Sequence, residues 1–560
     1  MSLYTSRSVT CLRLRSTRCA EFKRGVPTMV KRTTTPTRIP DRLSYLWLAI
    51  AAALYLFTGG QWVIPLAAWL APLFLLRFVR TQRPLPGLLL AWLVRFAVAA
   101  IFVLQGSQFP PGTPPGYYAL VLLFSLVAIL PYLADRLITP RLQGFVATLV
   151  FPLAFTMIEF LVSFGLAGTL NSIAYTQYGD LPLMQLVSVT GIWGIIFLIT
   201  WFAAVVNWAW ERGFAWPNVR GGGLLYAAVL AVVLLGGGAR LALFPPQATL
   251  VRVAGLSPSQ AAVAALKKQL PQETGSLLLS GKATQADRAL ARSAFTTLDD
   301  DLLARSQQEA RAGAKIVVWP EASPVSASIL QEDEPALIQR AGALAREADI
   351  YLDMALGVFL PDVGKGPFLK DEAVLLDPTG HVVWTYEIAH LVPGGQGLYV
   401  QGDGKVPLVE SPYGRLAGVI CYDLDYPGTM RQAGQAGADL LLGPSDDWQG
   451  FDPSHAQKAT FRAIENGFSL VRETSQGLSI AVDYEGRVLS ASDYFTTDHQ
   501  VMVAYVPMHG VRTIYATIGD LFAWLCIIGL VALTGLAIIQ SRKRRSAAAA
   551  VPLPESQPTR

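Results

Sequence analysis

The order of apolar and polar positions divides the chain into two regimes. From about residue 43 to 243, apolar runs near the ~20 residues that a membrane-crossing helix needs follow one another, with short polar breaks between them. The expected spans are 43–58, 62–80, 86–106, 117–138, 143–165, 182–210 and 223–243, with an eighth at 517–540. The first is short, and with the second it can form a re-entrant pair. Between the seventh and eighth spans the pattern changes: short apolar runs alternate with stretches of helical period. Strands are expected at 248–254, 315–319, 350–359, 372–376, 382–386, 416–420, 439–443, 468–474, 478–483, 487–490 and 501–507. Helices are expected at 288–312, 335–347, 429–436 and 454–466. Strands alternating with helices predict one layered α/β domain over 247–510.

Composition supports the membrane half of this picture. The 560 residues are 52% hydrophobic and only 15% charged, with a mean hydropathy of +0.39, which is less charge than a soluble chain carries. The net charge of +5 is modest, and its basic residues gather in two tails and a few loops. No basic patch is interleaved with aromatics, so nucleic acid is not an expected partner. Residues 1–42 read as a basic, disordered cytoplasmic tail. Their Arg and Ser content also fits a transit peptide or a true start at Met29. Residues 541–560 read as a second basic tail.

The placement of charge sets an orientation. Arg77, Arg80 and Arg83 lie at the end of the second span and in the loop after it, Arg136 and Arg141 at the end of the fourth and in its loop, Arg212 and Arg220 follow the sixth, and Arg542, Lys543, Arg544 and Arg545 follow the last. The alternate loops near 58–61, 107–115 and 167–180 carry no Lys or Arg. By the positive-inside rule both termini are cytoplasmic, and 247–510 is extracytoplasmic on a multi-pass cell-membrane protein. Within the spans, Arg95 and Glu159 are costly enough to suggest a function or a mutual pair.

Candidate chemistry is concentrated at Gly418-Val419-Ile420-Cys421-Tyr422-Asp423. An apolar run ends in a thiol, and Pro427 and Gly428 stop the strand soon after. Cys421 therefore sits at the C-terminal tip of a strand, where α/β folds hold reactive groups. The other cysteines are Cys11, Cys19 and Cys526. No CxxC or Cys/His metal spacing exists, so neither a metal nor a cofactor is expected. A lone thiol is commonly a small buried residue. A reactive one needs a base and a polarising group. Glu321 ends its own strand after Trp319-Pro320, as a base or as a solvated strand-end carboxylate.

Three stretches in order, Ile316-Val317-Val318-Trp319-Pro320-Glu321, Ala389-His390-Leu391-Val392-Pro393 and Gly418–Asp423, resemble the nitrilase (carbon–nitrogen hydrolase) superfamily. Arg462–Gly467 and Gly477–Gly486 continue the resemblance. Such a domain between seven preceding spans and one following span is similar to the apolipoprotein N-acyltransferases. The resemblance implies a four-layer α-β-β-α domain beside an α-helical membrane domain. It implies Cys421 as nucleophile and Glu321 as general base, with Tyr422 and Asp423 as supporting residues. It also implies acyl transfer from a phospholipid to the thiol and on to the N-terminal amine of a lipoprotein.

One position departs from the family. The lysine that should lie two residues before His390 is replaced by Ile388, and Gln396 stands where a Glu is usual. Asp377-Pro378-Thr379-Gly380 reads as a hairpin turn. If Asp377 and His381 pair across it, Lys370 faces Ile388 and can deliver an ammonium to the vacated place. The rival expectations are a catalytically impaired homologue that binds lipid or lipoprotein, and a hydrolase of small amides or nitriles.

Overall fold

The computed structural model describes residues 43–107, 115–246, 248–323, 325–361, 365–498 and 500–549. The expected tail at 1–42 lies outside the described residues, as do residues 550–560. The membrane helices are α1 (Ser44–Tyr55), α2 (Pro65–Thr81), α3 (Pro84–Leu104), α4 (Tyr118–Arg141), α5 (Phe145–Val162), α6 (Trp193–Trp210) and α7 (Trp216–Leu243). Among the described residues six helices are long and apolar enough to cross a membrane: α3 to α7 and the C-terminal helix. The first two are shorter, 12 and 17 residues, and pack against each other, so the expected eight crossings become six plus a short pair.

The expected span 182–210 is also broken. Two short helical pieces, Leu181–Met184 and Val187–Thr190, precede α6. The break falls at Gly191, at φ +64°, where a Cβ would stand 2.6 Å from the Tyr515 ring. Proline opens α2 and α3 and is the second residue of α7, positions where its missing N–H costs nothing. Arg136 donates to the main-chain oxygens of Val79 (2.6 Å) and Arg80 (2.8 Å) at the end of α2, satisfying carbonyls that a helix C-terminus leaves open. Arg80 in turn grips Asp135 with two bonds of 2.8 and 2.6 Å. The arginines that mark these loops in the sequence therefore also close the helix ends.

The α/β domain holds two sheets. The first contains β1 (Leu250–Leu256), β2 (Ile316–Val318), β3 (Ser328–Leu330), β4 (Tyr351–Phe359), β5 (Leu369–Leu376), β6 (Val382–Glu387) and, from the end of the domain, Val501–Pro507. The second contains β7 (Leu408–Ser411), β8 (Gly414–Gly418), β9 (Leu440–Leu442), β10 (Ser469–Arg472), β11 (Leu478–Val482) and β12 (Val488–Asp493); the Val501–Pro507 strand is β13. Their orders are β13-β1-β2-β4-β5-β6, with β3 on β4, and β12-β11-β10-β9-β8-β7. Val253, Ile316 and Leu375 of one sheet meet Leu416, Leu440 and Leu470 of the other in a buried core. Helices α8 (Gln285–Arg311) and α9 (Glu334–Ala348) cover the first sheet; α10 (Pro427–Ala436) and α11 (Ser454–Asn466) flank the second. This is the four-layer α-β-β-α arrangement. Strands β3 and β7 were not expected, being three and four residues long.

Helix α11 joins the two halves. Its Phe461 and Ile464 are buried in the core of the membrane helices. Arg462 donates to the Tyr175 hydroxyl at 2.5 Å and pairs with Glu465 at 2.6 Å, and Glu465 accepts from the Ile192 amide at 2.9 Å. The expected helix at 517–540 is the front of α12 (Leu521–Ala549), whose helical run continues through Arg542–Arg545.

Candidate active site

Cys421 follows β8 at the start of a short helical turn, Cys421–Asp425. Its φ is +41°, a left-handed conformation that costs a non-glycine residue of order 1–3 kcal/mol and concentrates at functional sites. The Cys421 amide donates to the Pro444 carbonyl at 2.9 Å, and its Sγ lies 3.5 Å from the Asp446 carbonyl. Parallel strands β8, β9 and β10 end side by side here. Their following residues thus bring Cys421, Asp446 and Asp447 together with Arg472, the last residue of β10.

Glu321 arrives from the first sheet, three residues past β2. Its amide donates to the Ser445 carbonyl (3.2 Å) and its Oε2 accepts from the Asp446 amide (2.5 Å). Glu321 and Cys421 converge on one residue, the carboxylate on the Asp446 amide and the thiol on the Asp446 carbonyl, and the Asp371 carboxyl is close enough to act on Glu321. The two residues singled out in the sequence are thus placed in one buried cluster. Burial raises the Glu321 carboxyl well above the ordinary carboxylate range, and the Asp371 charge adds to this. Burial likewise pushes the Cys421 thiol well above its ordinary value, followed by the charges of Glu321 and Asp447, against an opposing pull from Arg472.

Lys370 is not at the site. The turn pairs as expected, with the Asp377 amide donating to the His381 carbonyl at 3.0 Å. The ladder then shifts by one residue between Leu375 and Leu376, so that Leu375 faces Trp384 and Glu372 faces Glu387. One residue of slip turns a side chain to the other face. Asp371, not Lys370, lies opposite Ile388, whose amide donates to the Asp371 carbonyl at 3.0 Å. Lys370 points outward and binds Glu372 (2.8 Å) and Glu334 of α9 (3.4 Å). Ile388 is 4% exposed and belongs to the same apolar cluster as Cys421. A hydrocarbon therefore occupies the place of the family cation, and a carboxylate stands beside it.

Tyr422 and Asp423 hold the scaffold and do not face the thiol. The Tyr422 hydroxyl donates to the Leu166 carbonyl (3.0 Å) in a membrane-domain loop. Asp423 accepts from the Tyr386 hydroxyl (2.8 Å) and the His390 amide (2.9 Å), and bonds the His390 ring (2.7 Å), fixing the stretch that contains Ile388.

Sequence reasoning missed Asp371, Asp446, Asp447, His455 and Arg472. Arg472 is fully buried; its Nη2 donates to both Asp447 oxygens at 2.9 Å. His455 bonds Asp447 at 2.8 Å and lies 3.0 Å from Asp425. An arginine within the expected strand 468–474 was the available signal, since a buried charge is kept only with partners. Burial raises Asp446 to about 8. Among the described residues no group of three or more His, Cys, Asp or Glu side chains is arranged to hold a metal ion.

Comparison with known sequences bears on this geometry. The carbon–nitrogen hydrolase family matches residues 238–516, and the apolipoprotein N-acyltransferase N-terminal domain matches residues 45–205. The chain belongs to the apolipoprotein N-acyltransferase family. Family members similar to it include the apolipoprotein N-acyltransferase of Geobacter metallireducens, 27% identical over 75% of this chain and 80% of its own length. That of Brucella melitensis biotype 1 is 25% identical over 77% of this chain and 83% of its own length. Among solved structures, an amidase from Nesterenkonia sp. aligns with a TM-score of 0.36 at 20% identity, covering 50% of this chain and 97% of that one. Membership of the family agrees with a multi-pass membrane protein carrying a nitrilase-type α/β domain.

Proposed function

We propose that this chain is a membrane acyltransferase that moves an acyl group from a phospholipid to the N-terminal amine of a diacylglyceryl-cysteine lipoprotein, with Cys421 as nucleophile and Glu321 as general base. The observation that carries the reading is the convergence of Cys421, in a left-handed turn, and Glu321 on the main chain of Asp446. In the first half-reaction Glu321 takes the thiol proton, sulfur attacks the ester carbonyl, and the C–O bond breaks. Glu321-H returns the proton to the departing glycerol oxygen, leaving a thioester. In the second, Glu321 takes a proton from the amine as nitrogen attacks, the C–S bond breaks, and the thiolate is reprotonated. A two-step transfer of this kind needs donor and acceptor at one bilayer surface.

The arginine-rich loops and the odd number of crossings before the α/β domain support cytoplasmic termini and an extracytoplasmic domain. That parity is odd whether or not the short α1–α2 pair is counted as two crossings.

A specific observation favours a second reading, a catalytically impaired homologue that binds lipid or lipoprotein. With Ile388 in the lysine position and Asp371 beside Glu321, nothing basic faces the developing oxyanion from that strand. A fixed stabiliser of this kind is worth roughly 10²–10³ in rate. Incubation of the full chain with phospholipid followed by intact mass separates the two. An acyl adduct that Cys421→Ala loses is the expected result; no adduct after prolonged incubation above pH 8 would leave only the binding role.

A further inference from the structure

A cavity of about 230 Å³ lies where the membrane helices meet the α/β domain. Its walls come from the loop after α1, the second half of α3, the middle of α4, the end of α5, the loop 167–176 and the first turns of α11. Cys421 does not line it. Two cations do: Arg95 from α3 and Lys458 from α11.

Among the described residues neither cation forms a salt bridge with a carboxylate. The Arg95 guanidinium lies over the Tyr55 ring at 4.3 Å, and the Lys458 ammonium over the Phe451 ring at 4.7 Å. The one carboxylate among the described lining residues is Glu159. Its oxygens accept from the Ser172 hydroxyl (2.6 Å) and the Ile173 amide (3.4 Å). The mutual Arg95–Glu159 pair open from the sequence is thus not formed. Near Lys458, Asp425 lies against His455 and Asp447 against Arg472. Burial lowers the Lys458 ammonium to about 8, with Asp425 and Asp447 opposing. A desolvated ammonium over an aromatic face is a costly arrangement that an anion relieves.

We infer that this cavity is a phosphodiester site that takes the headgroup of a membrane phospholipid between Arg95 and Lys458. Three features select a lipid over a free anion. The remaining wall is largely apolar, with Val98, Phe102, Phe124 and Phe155 among its side chains. The enclosing helices α3 and α4 are mostly unburied along their lengths, so acyl chains leave between them into hydrocarbon. Phe451, under the Lys458 ammonium, packs in one cluster with Tyr422 and Leu170, and Tyr422 adjoins Cys421. Asp447 and Arg472 act on both the Lys458 ammonium and the Cys421 thiol, so a headgroup on Lys458 lies on the thiol's side of the cavity. The assignment of this lipid as acyl donor rests on the acyltransferase reading; the binding site itself does not.

The test is equilibrium binding to the full chain in detergent, with a fluorescent phosphatidylglycerol and the matching diacylglycerol, which lacks only the phosphodiester headgroup. Phosphatidylglycerol should bind more tightly than diacylglycerol. Lys458→Gln should weaken phosphatidylglycerol about tenfold, the usual order for one charge-assisted contact, and leave diacylglycerol unchanged. Lys458→Arg should restore binding and so exclude misfolding, and Arg95→Gln should act in the same direction. Cys421→Ala should bind as the parent does. Equal binding of the two lipids, or a Lys458→Gln/Arg95→Gln double variant that binds phosphatidylglycerol normally, overturns the site. Displacement of the lipid by low-millimolar inorganic phosphate would overturn its assignment to a lipid. A missing acyl adduct on Cys421 with intact headgroup-dependent binding refutes the acyltransferase reading alone; an adduct with headgroup-independent binding refutes this site alone.

Discussion

At Cys421 the surroundings oppose the chemistry that the backbone presents. The left-handed turn holds the sulfur at the end of three parallel strands, yet burial and the charges of Glu321 and Asp447 push the thiol well above its ordinary value, against an opposing pull from Arg472. The residue that decides the balance is Ile388. A lysine there would face Asp371 across the ladder and bring its ammonium to the Glu321–Asp371–Cys421 cluster. An opposite charge within a few ångströms favours the thiolate, lowering a thiol pKa by about 1–3 pH units. Alkylation of the native protein by iodoacetamide should therefore be slow at neutral pH and rise only in the alkaline range. Ile388→Lys should move that profile to lower pH by about 1–3 units and raise acyl-adduct formation by roughly 10²-fold. An unchanged profile would show that the lost cation does not govern the thiol.

Among the elements, the β5–β6 hairpin carries the most information. Its turn is readable from Asp377-Pro378-Thr379-Gly380, and the Asp377–His381 pairing forms as expected. The bulge near Leu375 and Leu376 is not readable, because Val382, Val383 and Trp384 offer no break in apolar pattern to mark an extra residue. That single insertion puts Asp371 inside and Lys370 outside. Lys370→Met should leave thiol alkylation and acyl-adduct formation unchanged. It should lower stability by roughly 1–3 kcal/mol, because Glu372, 1% exposed, loses its partner and stays buried. Thermal unfolding and labelling of the same sample check both halves; a loss of labelling would place Lys370 at the thiol after all.

For the molecule as a whole, function depends on how firmly the α/β domain is seated on the membrane helices. Helix α11 supplies the seat: one face completes the second sheet, and another, through Phe461 and Ile464, is core of the membrane domain. The buried Arg462 bridges Tyr175 and Glu465, and Glu465 reaches the Ile192 amide. Removing one partner of such a pair leaves an uncompensated charge, at a cost of about 3–5 kcal/mol. Arg462→Met should lower the melting temperature in detergent and bring the two halves apart, read as faster proteolysis at the 167–180 loop. Thr169 in that loop bonds the Asp425 carbonyl at 2.7 Å, so its exposure reports the loss of the seat.

The sequence by itself determined the two regimes of the chain, the family, and the strand-end positions of Glu321 and Cys421. Those properties follow from local period and from short ordered motifs, which survive without knowledge of neighbours. It also located the missing lysine at Ile388, because position within a motif is a matter of counting. Only the tertiary structure decided what stands beside the thiol instead. Asp371, Asp446, Asp447 and Arg472 come from strands and strand ends scattered over about a hundred residues, and whether each faces the site depends on register, on bulges and on which sheet meets which. The same holds for the cavity between Arg95 and Lys458: the two cations lie 363 positions apart in the chain, and packing of α11 against the membrane helices alone makes them neighbours of one space.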